Sequence, residues 1–181
     1  MINEQQSIDT LKQKYESLIE AQQELARKFQ EQAQALFKET IAEFWKLNPG
    51  VNAVVWHQFT PFWNDGDTCE FSVHSPTFTN ATGDQLQYIQ YGEFDPEDEE
   101  ENETVWATDN IQYVLTGNSA WCIADKQKIL SGPAVNVESC TLLSKMLQSS
   151  EFENIMKMMF DDHVKVIATR EGFDVSEYEH E

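Results

Sequence analysis

The sequence has no positively charged residue between positions 51 and 125. Over all 181 residues, 12 Lys and Arg stand against 32 Asp and Glu, for a formal net charge of −20. Residues 51–125 hold 14 of these acids, whereas residues 1–50 and 126–181 carry net charges of only −2 and −4. Nucleic acids and anionic membranes bind positive surfaces. The composition therefore argues against direct binding of the chain to nucleic acid or to a membrane.

The chain also lacks the features of membrane and secreted proteins. It has no run of about 18 apolar residues, so no transmembrane helix is predicted. The first six residues lack the basic and apolar regions of a signal peptide. The three cysteines, Cys69, Cys122 and Cys140, are odd in number and widely spaced, which is typical of a reduced cytosolic protein. We therefore expect a cytoplasmic location.

Sequence motifs of common enzymes are absent as well. The chain contains no GxSxG, HExxH, Walker, GxGxxG or CxxC pattern, and each of these carries a known chemistry. Their absence favours a protein without enzymatic activity. We accordingly predict no catalytic residue, no cofactor and no bound metal.

Residues 4–47 are predicted to form one long helix. Its seam residues recur at alternating intervals of three and four, the period typical of a coiled coil. They are Ile8, Leu11, Tyr15, Leu18, Gln22, Leu25, Phe29, Gln32 and Leu36. Asn48-Pro49-Gly50 is predicted to end the helix. We expect residues 1–48 to form a homo-oligomer through residues 8–36; a helical hairpin within one chain is the alternative.

After Leu36 the apolar positions move to another face of the helix. They are Phe37, Ile41, Phe44 and Trp45. This shift predicts that the last turns of the helix pack against the rest of the chain.

Residues 49–181 are predicted to form an acidic α+β domain. Runs of β-branched and aromatic residues predict strands over 51–62, 68–73, 85–91, 104–108, 111–116 and 120–124. Apolar periodicity predicts helices over 137–148 and 151–160, and a hairpin around Glu171-Gly172 is predicted to join strands 163–169 and 173–178. The fold class is therefore α+β: a long N-terminal coiled-coil helix, then an antiparallel β-sheet domain with C-terminal helices and a closing hairpin.

The Asp-Gly pair at residues 65–66 predicts a type I′ hairpin turn. A two-residue turn there would pair His57 with His74 across the two strands. Two imidazoles at that distance could share a metal ion, but zinc usually takes three or four protein ligands. A surface pair, or one packed on aromatic rings, is the favoured interpretation.

The acidic run at residues 95–103 is the main candidate binding surface. A run of like charges repels itself and favours a solvated loop, so a purely solubilising role is the simpler interpretation. Residues 51–125, which contain this run, are nevertheless rich in aromatic residues. The candidate binding residues are Glu97, Asp98, Glu99, Glu100, Glu101 and Glu103, together with Asp65, Asp67, Trp56 and Trp63.

A family resemblance lies in residues 56–71, Trp-His-Gln-Phe-Thr-Pro-Phe-Trp-Asn-Asp-Gly-Asp-Thr-Cys-Glu-Phe. This stretch resembles a W-x-Q-(F/Y)-T-P-(F/Y)-x-N-D-G-D-x-C-x-F motif of uncharacterised proteins from tailed bacteriophages and some bacteria. It covers 16 of the 181 residues, and no activity comes with it. The resemblance implies a phage-encoded protein that is expressed in the cytoplasm of the host cell.

Together these features predict a non-enzymatic acidic interaction protein. We expect a phage-encoded inhibitor whose acids imitate nucleic acid and bind the basic surface of a host protein that handles nucleic acid or serves in defence. Three alternatives remain: a small-ligand-binding or sequestering oligomer, a metal-dependent enzyme that uses Asp65, Asp67, His57 or His74, and a scaffold built on the coiled coil.

Overall fold

The long N-terminal helix ends where the sequence predicts. The computed structural model describes residues 4–63, 65–89, 111–116 and 128–179, and its helix α1 runs Glu4–Leu47. The Asn48 side chain folds back and donates from Nδ2 to the carbonyl of Phe44 at 3.0 Å. No helix in the described part of the chain is long and apolar enough to cross a membrane.

The chain divides into two compact units, Met1–Glu39 and Thr40–Glu181. In the first unit, the apolar seam residues of α1 are exposed. In the second unit, Ile41, Phe44 and Trp45 are buried, as the shift of the apolar face predicts. The Phe44 ring lies 5.6 Å from that of Phe78.

An antiparallel sheet forms the framework of the second unit. Its central strand β1 (Ala53–Phe59) pairs along one edge with β2 (Ser72–Val73) and β3 (Thr77–Thr79). Its other edge pairs with β4 (Val164–Thr169), which in turn pairs with β5 (Gly172–Glu177). All seven residues of β1 are buried, because neighbours occupy both edges and both faces of this strand.

Two helices precede the closing hairpin. Helix α2 (Val137–Leu147) begins at Asn136, whose side chain accepts a hydrogen bond from Ser139 N, and α3 (Ser150–Phe160) follows after two residues. Both match the predicted helices to within one residue, and the α+β fold class is confirmed. The apolar residues that they bury are Cys140, Leu143, Leu147, Met156 and Phe160.

The predicted strand over 85–91 is wrong in its described part. Residues Gly83–Tyr88 form a 3₁₀ helix instead. Leu86 and Ile89 are both buried, and their spacing of three matches the 3₁₀ period, whereas a strand would need a spacing of two. The Gln85 side chain accepts a hydrogen bond from Thr82 N at 3.3 Å and so holds the first turn.

The other strand predictions differ in their outcome. Tyr113, in the predicted strand 111–116, forms isolated bridges with Thr79 and Ile129. The predicted strands 104–108 and 120–124 lie outside the described residues. Strand β3, which follows Pro76, was not predicted. The loop of the closing hairpin is Arg170-Glu171, because Thr169 pairs with Gly172.

The hairpin after β1 has the predicted register. Gln58 pairs with Val73, as a two-residue turn at residues 65–66 requires. His74 N donates to the carbonyl of His57 at 2.9 Å. The two histidines therefore lie opposite each other, as predicted.

The two central residues of the predicted turn have positive φ, as expected, but the ladder is short. Asp65 and Gly66 have φ values of 39° and 96°, and both signs are those of a type I′ turn. Pairing stops at Phe59 and Ser72, far short of the predicted strand ends. The described residues between Thr60 and Phe71 are consequently outside the ladder, and we call residues 60–71 the hairpin loop.

Candidate functional site

The start of the motif, on β1, belongs to the core. Trp56 and Gln58 are two residues apart on a strand and so share one face of the sheet, and both are fully buried. Trp56 Nε1 donates to Gln58 Oε1 at 3.2 Å, and Gln58 Nε2 donates to the carbonyls of Met156 and Asp161. The Trp56 ring meets Phe160 edge-on at 5.5 Å. The W-x-Q pattern thus attaches β1 to the end of α3.

The next motif residue, Thr60, is held by a carboxylate distant in sequence. Asp162, in the connection between α3 and β4, accepts hydrogen bonds from Thr60 N at 2.8 Å and Thr60 Oγ1 at 2.7 Å. Pro61, which follows, has no N–H to give to a strand. The backbone N–H of Thr60 is bound by Asp162, and Pro61 has no backbone N–H. Neither residue can therefore donate to a neighbouring strand, and the chain leaves the ladder here.

Asp162 is also bound by Lys157, whose Nζ lies 2.7 Å from Oδ2. Burial alone would raise the pKa of Asp162, but the hydrogen bonds from Lys157 and Thr60 outweigh it and lower the pKa to about 2. The carboxylate therefore stays charged over the physiological range and anchors the start of the hairpin loop.

Beyond this anchor, the hairpin loop presents large aromatic side chains to solvent. Phe62 and Trp63 are 71% and 67% exposed. Asp65, Asp67 and Glu70, in the same loop, are exposed as well. The loop thus combines an exposed apolar surface with three carboxylates, and it contains no basic residue.

The two ends of this loop are supported by ring contacts. Phe62 stacks on His163 at a centroid distance of 4.8 Å and an angle of 15°. Lys157 Nζ lies 5.1 Å from the centre of the Phe71 ring, within the range of a cation–π contact. These contacts hold Phe62 and Phe71 against α3 and the connection that follows it.

The structure brings some of the predicted binding residues together and separates others. Trp63, Asp65 and Asp67 share the hairpin loop. Trp56 is buried against α3, and we assign it a packing role, because a fully buried indole offers no surface to a partner protein. The predicted acids of the main run, Glu97, Asp98, Glu99, Glu100, Glu101 and Glu103, lie outside the described residues.

A second cluster lies on the opposite face of β1 and contains two pairs of rings in contact. The His57 ring lies 4.4 Å from that of Tyr178 at an interplanar angle of 58°, and Phe59 stacks on His74 at 4.0 Å. The favoured interpretation of the histidine pair, packing on aromatic rings, matches these contacts. Burial, together with the nearby positive charge of Lys165 and with His74, lowers the pKa of His57 to about 3, so the imidazole is neutral at pH 7.

Lys165 pairs with His57 across β1 and β4 and binds the end of the 3₁₀ helix. It is buried, and its Nζ donates to the carbonyls of Leu86 and Gln87 at 3.0 and 2.9 Å. These carbonyls lie near the end of the 3₁₀ helix, where helical partners run out. Burial lowers the pKa of Lys165 to about 8.

The second cluster has no metal-binding geometry in the described residues. Within those ranges, no group of three or more His, Cys, Asp or Glu side chains could hold a metal ion. His57 and His74 are instead engaged with aromatic neighbours. The hairpin loop is therefore the better candidate site.

Sequence reasoning did not select Phe62, Asp162 or Lys165 as site or support residues. For Phe62 a signal existed: it follows Pro61 and lies two residues before Asn64-Asp65-Gly66, so it falls next to a predicted turn. For Asp162 no local signal existed, because its partner Thr60 is 102 residues away.

No family model, curated protein or solved structure matches the chain.

Proposed function

We propose that the chain is a non-enzymatic interaction protein that binds a basic surface of another protein through the hairpin loop. One observation carries the proposal: Phe62 and Trp63 are 71% and 67% exposed in a loop whose only charged residues are Asp65, Asp67 and Glu70.

Large exposed aromatics are costly in water and are enriched among the residues that dominate binding energies. Here they are neighbours on a loop that is anchored at its base through Asp162 and Thr60. An anchored loop loses little conformational freedom on binding. The aromatic side chains would supply affinity, and the carboxylates would select basic partners and speed association.

The partner class follows from this charge. Proteins that handle nucleic acid carry basic surfaces to neutralise phosphate, and the hairpin loop could occupy such a surface in place of nucleic acid. The resemblance of residues 56–71 to proteins of tailed phages makes a host protein of this class the first partner to seek. Occupation of its nucleic-acid site would inhibit it.

The experiment is a pull-down from bacterial lysate on the immobilised full chain, eluted with rising salt and analysed by mass spectrometry. We expect basic proteins that elute between about 50 and 500 mM salt, since screening weakens exposed charge pairs over this range. Retention that does not change with salt would count against the electrostatic part of the proposal.

Paired variants localise the site. Phe62→Ala/Trp63→Ala should lose the retained protein, whereas Leu142→Ala, which truncates a 68% exposed side chain on α2, should keep it. Asp65→Asn/Asp67→Asn should elute at lower salt, whereas Glu138→Gln/Glu151→Gln, a matched loss of two exposed acids, should elute like the parent. Equal retention by all four variants would place the binding surface elsewhere.

A further inference from the structure

A second exposed apolar surface is the seam of α1, within residues 8–36. Seven apolar side chains lie on it with exposed fractions from 44% to 70%: Ile8, Leu11, Tyr15, Leu18, Leu25, Phe29 and Leu36. The outer side of the helix is polar, and there Arg27 forms ion pairs with Glu24 and Glu31. An amphipathic helix of this kind is stabilised mainly by burial of its apolar face.

The flanks of the seam suit a second copy of the same helix. In heptad terms, Ile8 and Leu11 occupy positions a and d, and no flanking e or g position carries an acid. In a parallel pair, each g residue faces the e residue five positions later in the other copy. Lys14 would then face Ile19, and Lys28 would face Ala33, so no lysine opposes a lysine.

The two glutamines of the seam discriminate between orientations. In a parallel, in-register pair, Gln22 faces Gln22 and Gln32 faces Gln32 of the second copy, so each amide can hydrogen-bond its counterpart. In the antiparallel register that aligns Leu11 with Leu36, Gln22 faces Leu25 and its amide is buried without a polar partner. Such a group costs about 1–3 kcal/mol.

Another antiparallel register would align Gln22 with Gln32. It satisfies the amides but carries Ile8, Leu11 and Tyr15 beyond the last seam residue of the partner helix. Three large apolar side chains would then remain in water. Only the parallel, in-register arrangement covers the entire seam and also matches both glutamines.

We infer that residues 8–36 form a parallel, in-register, two-stranded coiled coil with a second copy of this chain. Leucine at the d positions 11, 18 and 25, with Ile8 at an a position, favours two strands over three or four. This inference stands on the helix alone and does not depend on the function proposed for the hairpin loop.

The first test is the mass in solution by light scattering. The full chain should have twice the chain mass of 20.9 kDa. Leu18→Asp/Leu25→Asp should have the mass of one chain, because charges in the seam oppose pairing. Gln13→Asp/Gln23→Asp adds the same charges away from the seam and should keep the double mass. A parent chain that stays monomeric at about 100 μM, or that has three times the chain mass or more, would overturn the inference.

The second test is of orientation, by cross-linking through an introduced cysteine. Leu11→Cys should form a disulfide-linked dimer on mild oxidation, since two d residues of one layer lie side by side in a parallel pair. In the antiparallel register that aligns Leu11 with Leu36, the two cysteines would be about 37 Å apart at 1.5 Å per residue. A double mass without cross-linking of Leu11→Cys would refute the parallel arrangement.

Two controls accompany the cross-linking. The parent chain, oxidised in the same way, shows any product of the native cysteines. Gln13→Cys places its thiol on the outer side of the helix and should cross-link much less than Leu11→Cys. The mass of Leu11→Cys under reducing conditions shows that this variant still dimerises.

Discussion

At the residue scale, the anchor of the hairpin loop is a single carboxylate. Asp162 accepts four hydrogen bonds, two from Thr60, one from Lys157 and one from the backbone N–H of His163. Its position in the chain gives no hint of this role, because Asp161-Asp162-His163 looks like an ordinary polar turn. The contact exists only once β1 and the end of α3 are brought together by Gln58.

We predict that Asp162→Asn destabilises the protein by about 1–2 kcal/mol at pH 7. The folded-state pKa of Asp162 is lowered to about 2 from 3.8. Its contribution to stability is therefore complete above about pH 4 and is lost as the pH falls towards 2. Urea unfolding at pH 7 and at pH 2.5 should show the gap between parent and variant narrowing at the lower pH.

Asp84→Asn, at an exposed position, serves as the control and should cost less than about 0.5 kcal/mol. An Asp162→Asn gap that is the same at both pH values would contradict the assignment, because it would mean that the charge contributes nothing.

A second residue-scale prediction concerns His57. Its effect on the free energy of unfolding should begin at a higher pH than that of Asp162. Its folded-state pKa is lowered from 6.5 to about 3, so only the unfolded state takes up the proton between these values. Stability should be complete above pH 6.5 and should fall by about 2 kcal/mol between pH 6.5 and 5 through this group alone.

The measurement is the free energy of unfolding across this pH interval for the parent and for His57→Phe. Phenylalanine can keep the contact with the Tyr178 ring but does not titrate, so the variant should have a flatter profile. His74→Phe, at the half-buried position opposite, should keep most of the slope. Identical slopes for the parent and His57→Phe would show that this imidazole is accessible to protons in the folded state.

At the element scale, one buried side chain, that of Asn48, ends helix α1. Asn48 Nδ2 donates to Phe44 O at 3.0 Å and to Ser139 Oγ at 2.7 Å, and its Oδ1 accepts from Asn136 N at 2.7 Å. The same residue thus ends α1 and fixes the start of α2.

Asn48→Ala is therefore expected to destabilise the protein by about 2–4 kcal/mol, because it removes a fully buried side chain together with its three hydrogen bonds. Ser139→Ala removes one of these bonds and should cost about 1 kcal/mol. Chemical denaturation of both variants checks the order. A cost for Asn48→Ala no larger than that for Ser139→Ala would show that the network around Asn48 contributes little.

The elements differ in how well local sequence predicts them. α1, α2 and α3 follow from apolar periodicity and from polar stop or cap residues, all of which act within a few positions. The 3₁₀ helix Gly83–Tyr88 does not, because a single pair of buried apolar residues, Leu86 and Ile89, is too short a pattern to define a period. The length of the hairpin ladder is set by Asp162, which no local pattern could indicate.

At the scale of the whole molecule, the acidic charge indicates a binding surface on the second unit, the hairpin loop. The apolar seam of α1 indicates another on the first unit. The described acids of the middle segment include three on the hairpin loop, Asp65, Asp67 and Glu70. The exposed apolar residues of α1 lie on a helix whose seam flanks carry only lysine as charged residues. The sequence already groups these carboxylates with Phe62 and Trp63, but only the structure shows that both rings and all three carboxylates are exposed.

If both surfaces act as proposed, pairing through α1 makes the protein bivalent. Two hairpin loops joined in one dimer can hold two sites on a densely coated surface, and the second contact then forms at a high effective concentration. Leu18→Asp/Leu25→Asp should weaken apparent binding to such a surface by about 10²-fold or more. Its affinity for a single partner molecule in solution should match that of the parent, because the hairpin loop is untouched. Surface plasmon resonance at high and low partner density separates the two cases: equal weakening at both densities would mean that the helix contacts the partner itself.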